Sequence, residues 1–309
     1  MVVAVTAVLV YTLVAVLYGL SGRVQTTGET HTPPPGALTI VLTPQTVNAA
    51  GESITMTLEI EPSDALMSAG GLALSDDITV LVSPVLASQS IDFPAGKIPQ
   101  TQTIVVQTPG MIENWPADTY QTQMLVTATR TVNGAAVPLS PAVIFDGQVP
   151  GWTLTGVTQN LHAEQSATAL ALGAVSDGSG SLTLPVLELT AKRSWSTFAF
   201  GVLLLGLMIA IAVLVLLVAI TVYRGRRKVE PSFMSWIGAM LFATIPLRSF
   251  LPGAPPIGSW IDYLVVLWVM IALVVGLVVY AAGWARWGSP SIPVTQVSEP
   301  RKGDAGQGL

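Results

Sequence analysis

From Thr197 to Tyr223 the chain runs without one charged side chain, and nearly every residue is Val, Leu, Ile, Ala, Met, Phe or Gly. At 1.5 Å rise per residue, about 20 apolar residues cross the ~30 Å hydrocarbon core of a bilayer. This stretch therefore predicts a membrane-spanning helix. Three more share its character: Met1 to Leu20, Phe233 to Leu247, and Tyr263 to Gly283. The stretch beginning at Phe233 is short, and it reaches Leu251 only by taking in Arg248, whose long side chain can extend to headgroups from a helix end. Met1 to Leu20 lacks a basic leader, exceeds the roughly 7 to 15 residues of a signal-peptide core and is followed by no A-x-A site. A retained anchor is expected there rather than a cleaved signal peptide.

Composition narrows the function classes. Of 309 residues 51% are hydrophobic and 10% charged, with 28 Gly and 22 Pro. Coiled coils and disordered chains need far more polar surface. Zero Cys excludes disulfides, thiolate metal sites and cysteine nucleophiles, and two His, His31 and His162, leave little for a zinc site or a histidine triad. No G-x-S-x-G, H-E-x-x-H or phosphate loop occurs. The chain is expected not to be an enzyme and to need no cofactor.

Lys and Arg are retained on the cytoplasmic side of membrane spans. Arg224, Arg226, Arg227 and Lys228 lie between the second and third stretches and place that loop inside. Alternation then puts the loop before Tyr263 outside, the tail with Arg301 and Lys302 inside, the N-terminus inside, and residues 21–196 outside the cytoplasm. Lys192 and Arg193 flank the outer end of the second span, and Arg23 follows the first, against the rule. Aromatic residues gather at the span ends, among them Trp195, Trp236, Trp260, Trp284 and Trp287, with Trp268 the exception inside the fourth. The predicted organisation is a transmembrane helix over 1–20, an extracytoplasmic domain over 21–196, helices over 197–223, 233–251 and 261–284, a basic loop over 224–232, an outer Pro/Gly loop over 252–260, and a disordered cytoplasmic tail over 285–309. The expected site is the plasma membrane.

Residues 21–196 are a different material, rich in Thr, Val, Ser, Gly and Pro, with fourteen acidic against five basic residues, a net charge of −9. Runs of period two recur at Ala37–Leu42, Ser53–Ile60, Asp77–Val82, Thr101–Gln107, Tyr120–Thr129, Trp152–Thr158, Ala167–Val175 and Leu182–Leu189. In the second, Ile54, Met56, Leu58 and Ile60 share one face while Thr55, Thr57 and Glu59 share the other, as in a half-buried antiparallel strand. About eight such strands predict a β-sandwich. Asp177-Gly178-Ser179-Gly180 reads as a turn between the last two.

Two segments carry a resemblance. Asn114-Trp115-Pro116-Ala117-Asp118-Thr119-Tyr120 has the form aromatic-Pro-x-Asp-x-Tyr before a long strand. Leu247-Arg248-Ser249-Phe250-Leu251-Pro252-Gly253-Ala254-Pro255-Pro256-Ile257-Gly258 is followed by Asp262 and Trp268. With one N-terminal span, a β-rich domain and three C-terminal spans, nearly the whole chain resembles a bacterial membrane-protein family, domain of unknown function 4436, common in actinobacteria. The resemblance implies architecture and envelope location, and no activity.

The candidate structural or interaction residues lie in those segments: Trp115, Pro116, Asp118 and Tyr120 in the first, Arg248, Pro252, Gly253, Pro255, Pro256, Gly258 and Asp262 in and around the second. In the first, Pro116 is expected to set a turn, Asp118 to accept backbone N–H bonds and Tyr120 to begin a strand, in preference to a ligand or cation site. Arg248 and Asp262 flank the outer loop, and pairing there would fix the hairpin's register or build a binding point at the outer face. Acidic clusters such as Glu59, Glu61 and Asp64, or Asp76 and Asp77, lack the ligand spacing of a calcium loop and read as solvated surface. Small pairs four residues apart, Gly206 with Ala210, Ala239 with Ala243 and Ala272 with Gly276, suit close helix packing. The spans hold no ionisable residue at mid-depth, which argues against a transport path. An interaction, scaffold or accessory module is expected, partnered by the lipid bilayer and other membrane or envelope proteins and not by nucleic acid. Alternatives are small-molecule or lipid binding, or a channel assembled from several copies; the oligomeric state is open.

Overall fold

The computed structural model describes residues 11–12, 15–16, 25–26, 37–139, 141–163, 175–176, 182–227 and 230–287. All but residues 11–12 and 15–16 of the predicted first span, all but Val175 of the predicted strand Ala167–Val175, the turn at Asp177–Gly180 and the tail beyond 287 lie outside the described residues. Twelve strands are described: β1 Gln25–Thr26, β2 Leu38–Asn48, β3 Ser53–Pro62, β4 Asp77–Ser83, β5 Ser90–Phe93, β6 Gln102–Gln107, β7 Thr119–Val132, β8 Ala135–Leu139, β9 Pro141–Phe145, β10 Trp152–Ala163, β11 Val175–Ser176 and β12 Leu182–Arg193.

They form two sheets. One runs β6-β3-β2-β9; the other runs β1-β10-β12-β7-β4-β5, with β8 added to β7 and β11 to β12. Ile54, Met56, Leu58 and Ile60 of β3 point inward to meet Leu38, Ile40 and Leu42 of β2 and Ile78, Val80, Val126 and Leu189 of the other sheet in one core. Full burial of a single such side chain is worth about 1.5–3 kcal/mol, so one face of every long strand contributes to holding the sheets together. The result is a β-sandwich-like head.

Strands β1, β5, β8 and β9 were not expected from the sequence. β8 is exposed at four of its five residues and so has no inward/outward alternation to read. It is placed instead by a two-residue turn, Asn133-Gly134, both at positive φ (53° and 79°), the geometry a tight hairpin requires. β5 has four residues, and β9 pairs parallel to β2 rather than through a hairpin.

Three helices follow: α1 Trp195–Tyr223, α2 Ser232–Ser249, and α3 Leu267–Trp287, the last entered through a π-helical turn at Asp262–Val266. Of the described helices, Trp195–Tyr223 and Asp262–Trp287 are long and apolar enough to cross a membrane. α2, with 18 residues and Pro246 inside it, closes at Ser249 rather than Leu251, because Pro252 disfavours helical backbone at the residue before it. α3 runs three residues past the expected Trp284, so 285–287 belong to a helix and not to the tail.

The described chain forms two compact units. One comprises the sheets, α1 up to Ile209, and Thr244–Val269; the other comprises Ala210–Ala243 and the chain from Met270 onward. In the second unit a Cβ on Gly276 would lie 2.7 Å from Val215 Cγ1 and one on Gly283 would lie 3.2 Å from the Tyr223 backbone, so glycine lets α3 approach α1. Gly206, another of the predicted small residues, faces open space.

Candidate functional site

The first unit holds a polar cluster where β12 gives way to α1. In the antiparallel pairing of β10 with β12, Arg193 stands opposite Trp152, and in that of β12 with β7, Lys192 stands opposite Thr119. Carrying the second register one step further brings Asp118 beside Arg193. Tyr120, two residues on, falls on the same side of the strand as Asp118. Local strand geometry thus brings together an acid, a base, a phenol and an indole from three distant parts of the chain.

The contacts are dense. Arg193 Nε donates to Asp118 Oδ1 at 2.6 Å and Nη2 to Oδ2 at 2.9 Å, and both side chains are essentially buried, at 2% and 0% exposure. Tyr120 donates its hydroxyl to Asp118 Oδ2 at 2.9 Å. The guanidinium lies 4.8 Å from the Trp152 ring centroid, and Trp152 meets Tyr120 edge-on at 5.7 Å. Burial first, and then the Asp118 carboxylate, push the Tyr120 phenol well above its ordinary range.

The cluster also grips the Pro/Gly loop. Pro252 offers its carbonyl to Arg193 Nη1 at 3.1 Å and to Trp115 Nε1 at 2.8 Å. Trp115 is 2% exposed and packs with Leu204, Leu251 and Ile261. A Cβ on Gly201 would stand 2.7 Å from its ring, and a Cβ on Gly253, at φ +74°, would collide with Arg193 Nη1. Glycine is required at both positions. One residue, Ser194, separates β12 from α1; its Oγ accepts from the Thr197 N–H at 3.3 Å as a helix N-cap, and Thr197 Oγ1 donates to the Gly151 carbonyl at 3.0 Å. This cap accounts for α1 starting at Trp195 rather than Thr197.

A second pair closes the same loop on itself. Arg248 Nε and Nη2 donate to Asp262 Oδ1 and Oδ2 at 3.1 and 2.9 Å, Nη1 and Nη2 donate to the carbonyls of Pro255 and Pro256, and Asp262 Oδ2 also accepts from the Gly258 N–H at 2.8 Å. Its side chains are 18% and 17% exposed.

All eleven residues singled out in the sequence therefore lie at or beside one of two Arg–Asp pairs. The role expected of Asp118 is corrected: its side-chain partners are Arg193, from the neighbouring strand, and Tyr120, two residues along its own, in place of the N–H groups of its own turn. Arg193, Trp152 and Gly201 were not singled out. The signal for Arg193 was present, as a basic residue standing where the charge rule wants none. Of the acidic clusters, Asp77 Oδ1 accepts from the Ala95 N–H at 2.7 Å and Asp76 approaches Arg130 at 3.9 Å. Among the described residues no group of three or more acidic or His side chains is placed to hold a metal.

The element from Asn114 to Tyr120 lies within a recognisable domain. Residues 28–172 match DUF4436, a domain of unknown function. Residues 193–287 match a different one, DUF8686, also a domain of unknown function. The DUF4436 likeness read from the sequence over nearly the whole chain is thus confined to the head, and the Pro/Gly loop belongs to the second match. No curated protein matches the chain. Asp118 and Trp115 lie in the DUF4436 segment, whereas Arg193 and Pro252 lie in the DUF8686 segment. The buried cluster is where the two matched segments are joined.

Proposed function

We propose that this is a multi-pass plasma-membrane protein that mounts an acidic β-sandwich on the start of α1 and on the Pro/Gly loop, as a scaffold or accessory subunit for other envelope proteins. One observation carries the reading. α1 is apolar on every side, yet only a stripe of it, including Leu204, Met208, Val215 and Val222, is buried, while Val202, Leu203, Leu207, Val213, Leu214 and Leu217 are exposed. A helix hydrophobic all round is matched to a core or a bilayer, and among the described residues no protein core covers this one. Met1–Leu20 and α2 complete four spans in this proposal, with both termini in the cytoplasm and residues 21–196 outside.

The mounting is supported by the single residue between β12 and α1 and by the Asp118–Arg193–Pro252 contacts. A head carrying a net charge of −9 suits partners with basic surfaces and not nucleic acid. The motif-poor sequence favours binding over catalysis. A second reading, binding of a small molecule or lipid, is favoured by a groove of about 450 Å3 walled by Leu74, Phe93, Pro94 and Ile98, with Lys97 and Gln102 as polar lining.

Mild detergent extraction followed by native pull-down and mass spectrometry tests the role: a stoichiometric membrane or envelope partner is expected, whereas ion flux through liposomes holding this protein alone would overturn it in favour of a pore. The chain has no Cys, so introduced ones report topology without background. Ile98→Cys should label with an impermeant maleimide in intact cells and Arg226→Cys only after lysis. The reverse pattern inverts the orientation.

A further inference from the structure

We infer that the ends of α1 and α3 form a binding site for the phosphate of an anionic phospholipid, built from Arg224, Arg226, Arg227 and Arg286. The inference rests on the membrane reading above and concerns the second unit alone. α1 ends in a left-handed glycine cap: Gly225 has φ +70°, its N–H donates to the Val222 carbonyl at 2.8 Å, and the Arg226 N–H donates to the Thr221 carbonyl at 3.1 Å. Arg224 belongs to the last helical turn, its N–H donating to the Ile220 carbonyl at 3.0 Å, and the cap turns Arg226 and Arg227 off the helix end. The Tyr223 carbonyl of that last turn accepts instead from Trp287 Nε1 at 3.1 Å, and the Trp287 ring lies 3.4 Å from where a Gly225 Cβ would stand. That bond draws the end of α3 onto the end of α1. Arg286 then lies with its guanidinium 5.8 Å from the Tyr223 ring centroid and 5.3 Å from that of Trp287.

Four arginines thus belong to the adjoining ends of α1 and α3, all of them exposed, and among the described residues none has a carboxylate partner. Loop topology alone would explain basic residues near the helix end. It does not explain why Arg286, from another helix, is held between two rings beside them. Like charges brought together repel unless an anion offsets them, and the guanidinium fork matches phosphate oxygens two at a time. Tyr223, Trp284 and Trp287, each close to half exposed, are the amphipathic rings that settle at headgroup depth. The anion available at that depth is a lipid phosphate, and the net negative headgroups of phosphatidylglycerol or cardiolipin fit better than the zwitterion of phosphatidylcholine.

The test uses the full chain in mild detergent, titrated with equimolar phosphatidylglycerol and phosphatidylcholine and read by native mass spectrometry. Retention of phosphatidylglycerol over phosphatidylcholine is expected, falling about fivefold for each arginine removed in R286Q and in R224Q/R226Q/R227Q. The charge-keeping R286K should hold most of the preference, and melting temperatures of all variants check folding. Equal retention of both lipids by the unaltered chain, or an undiminished preference in a folded R224Q/R226Q/R227Q/R286Q variant, overturns the site. Displacement of the lipid by millimolar inorganic phosphate would make the ligand a soluble phosphate and overturn the lipid assignment. Reconstitution into pure phosphatidylcholine vesicles separates the two readings: a chain that inserts there after showing no preference in the detergent titration loses only this site, and one that fails to insert loses the membrane reading itself.

Discussion

Two Arg–Asp pairs meet the same Pro/Gly loop, and they differ in nearly everything except chemistry. Asp118 and Arg193 stand 75 residues apart in sequence and are buried, capped by a tyrosine hydroxyl and an indole face. Arg248 and Asp262 are 14 apart and partly open to their surroundings. Burial makes an ion pair costly to assemble and costlier to break, since removing one partner strands the other without water. The buried pair should therefore act as a structural bolt between the head and the loop, and the open pair as a trimming of the loop's shape.

The contrast is sharpest when one charge is deleted. Arg193→Met should destabilise the detergent-solubilised protein by about 3–5 kcal/mol, read as a large drop in melting temperature, because Asp118 is left without its cationic partner in a buried site. Asp118→Leu added to Arg193→Met should recover part of the loss, since an apolar pair of similar volume removes the stranded charge. Equal melting temperatures for Arg193→Met and Arg248→Met would break the comparison outright.

Glycines beside each pair offer the next largest contrast. Gly253→Ala forces a Cβ into the Arg193 guanidinium and into left-handed backbone, a combined cost of about 1–3 kcal/mol. Gly258, also at positive φ (+97°), has nothing within 4 Å of its would-be Cβ. Gly258→Ala should cost only the backbone strain, about 1 kcal/mol. Thermal melts of the two variants decide whether the buried pair is the tighter-packed one.

Deleting either member of the open pair should cost about 1–2 kcal/mol after allowance for its exposure. The exchange Arg248→Asp with Asp262→Arg should return part of that. The same exchange at 118 and 193 should return none, because the Trp152 face and the Pro252 carbonyl both demand a cation at 193. Recovery at both sites would mean that the surroundings of the buried pair are indifferent to sign.

The difference between the pairs also governs how much of each is legible in the sequence. Arg248 and Asp262 are the charged residues bracketing one loop between apolar stretches, so proximity in sequence nearly dictates proximity in space. Asp118 and Arg193 meet only through strand register, and register depends on which strands pair, which hydrophobic alternation leaves open. Long strands such as β3 were legible because one face is buried along their whole length. β8 was not, since neither face is covered, although its Asn-Gly turn advertised a hairpin. The helices were legible in composition and less so at their ends, where Ser194 as a cap and Pro252 as a stop shift the boundaries by two residues each.

The smallest effect lies within the buried pair itself. Tyr120→Phe removes one hydrogen bond to Asp118, which Arg193 continues to satisfy, so near neutral pH the loss should be about 1 kcal/mol. The phenol is more telling at high pH. Its folded-state proton is held above the ordinary range while the unfolded chain releases it near pH 10, so the unfolded state loses its proton first. Stability contributed by the neutral phenol is complete below pH 10 and declines as pH rises beyond it, by up to about 1.4 kcal/mol per pH unit. Melting temperatures of the unaltered protein and of Tyr120→Phe, compared from pH 8 to pH 11, should thus converge as pH rises, and the unaltered protein should lose its advantage first. Parallel curves would mean that the hydroxyl is not confined against Asp118, and with it the buried pair would lose the cap that sets it apart from the open one.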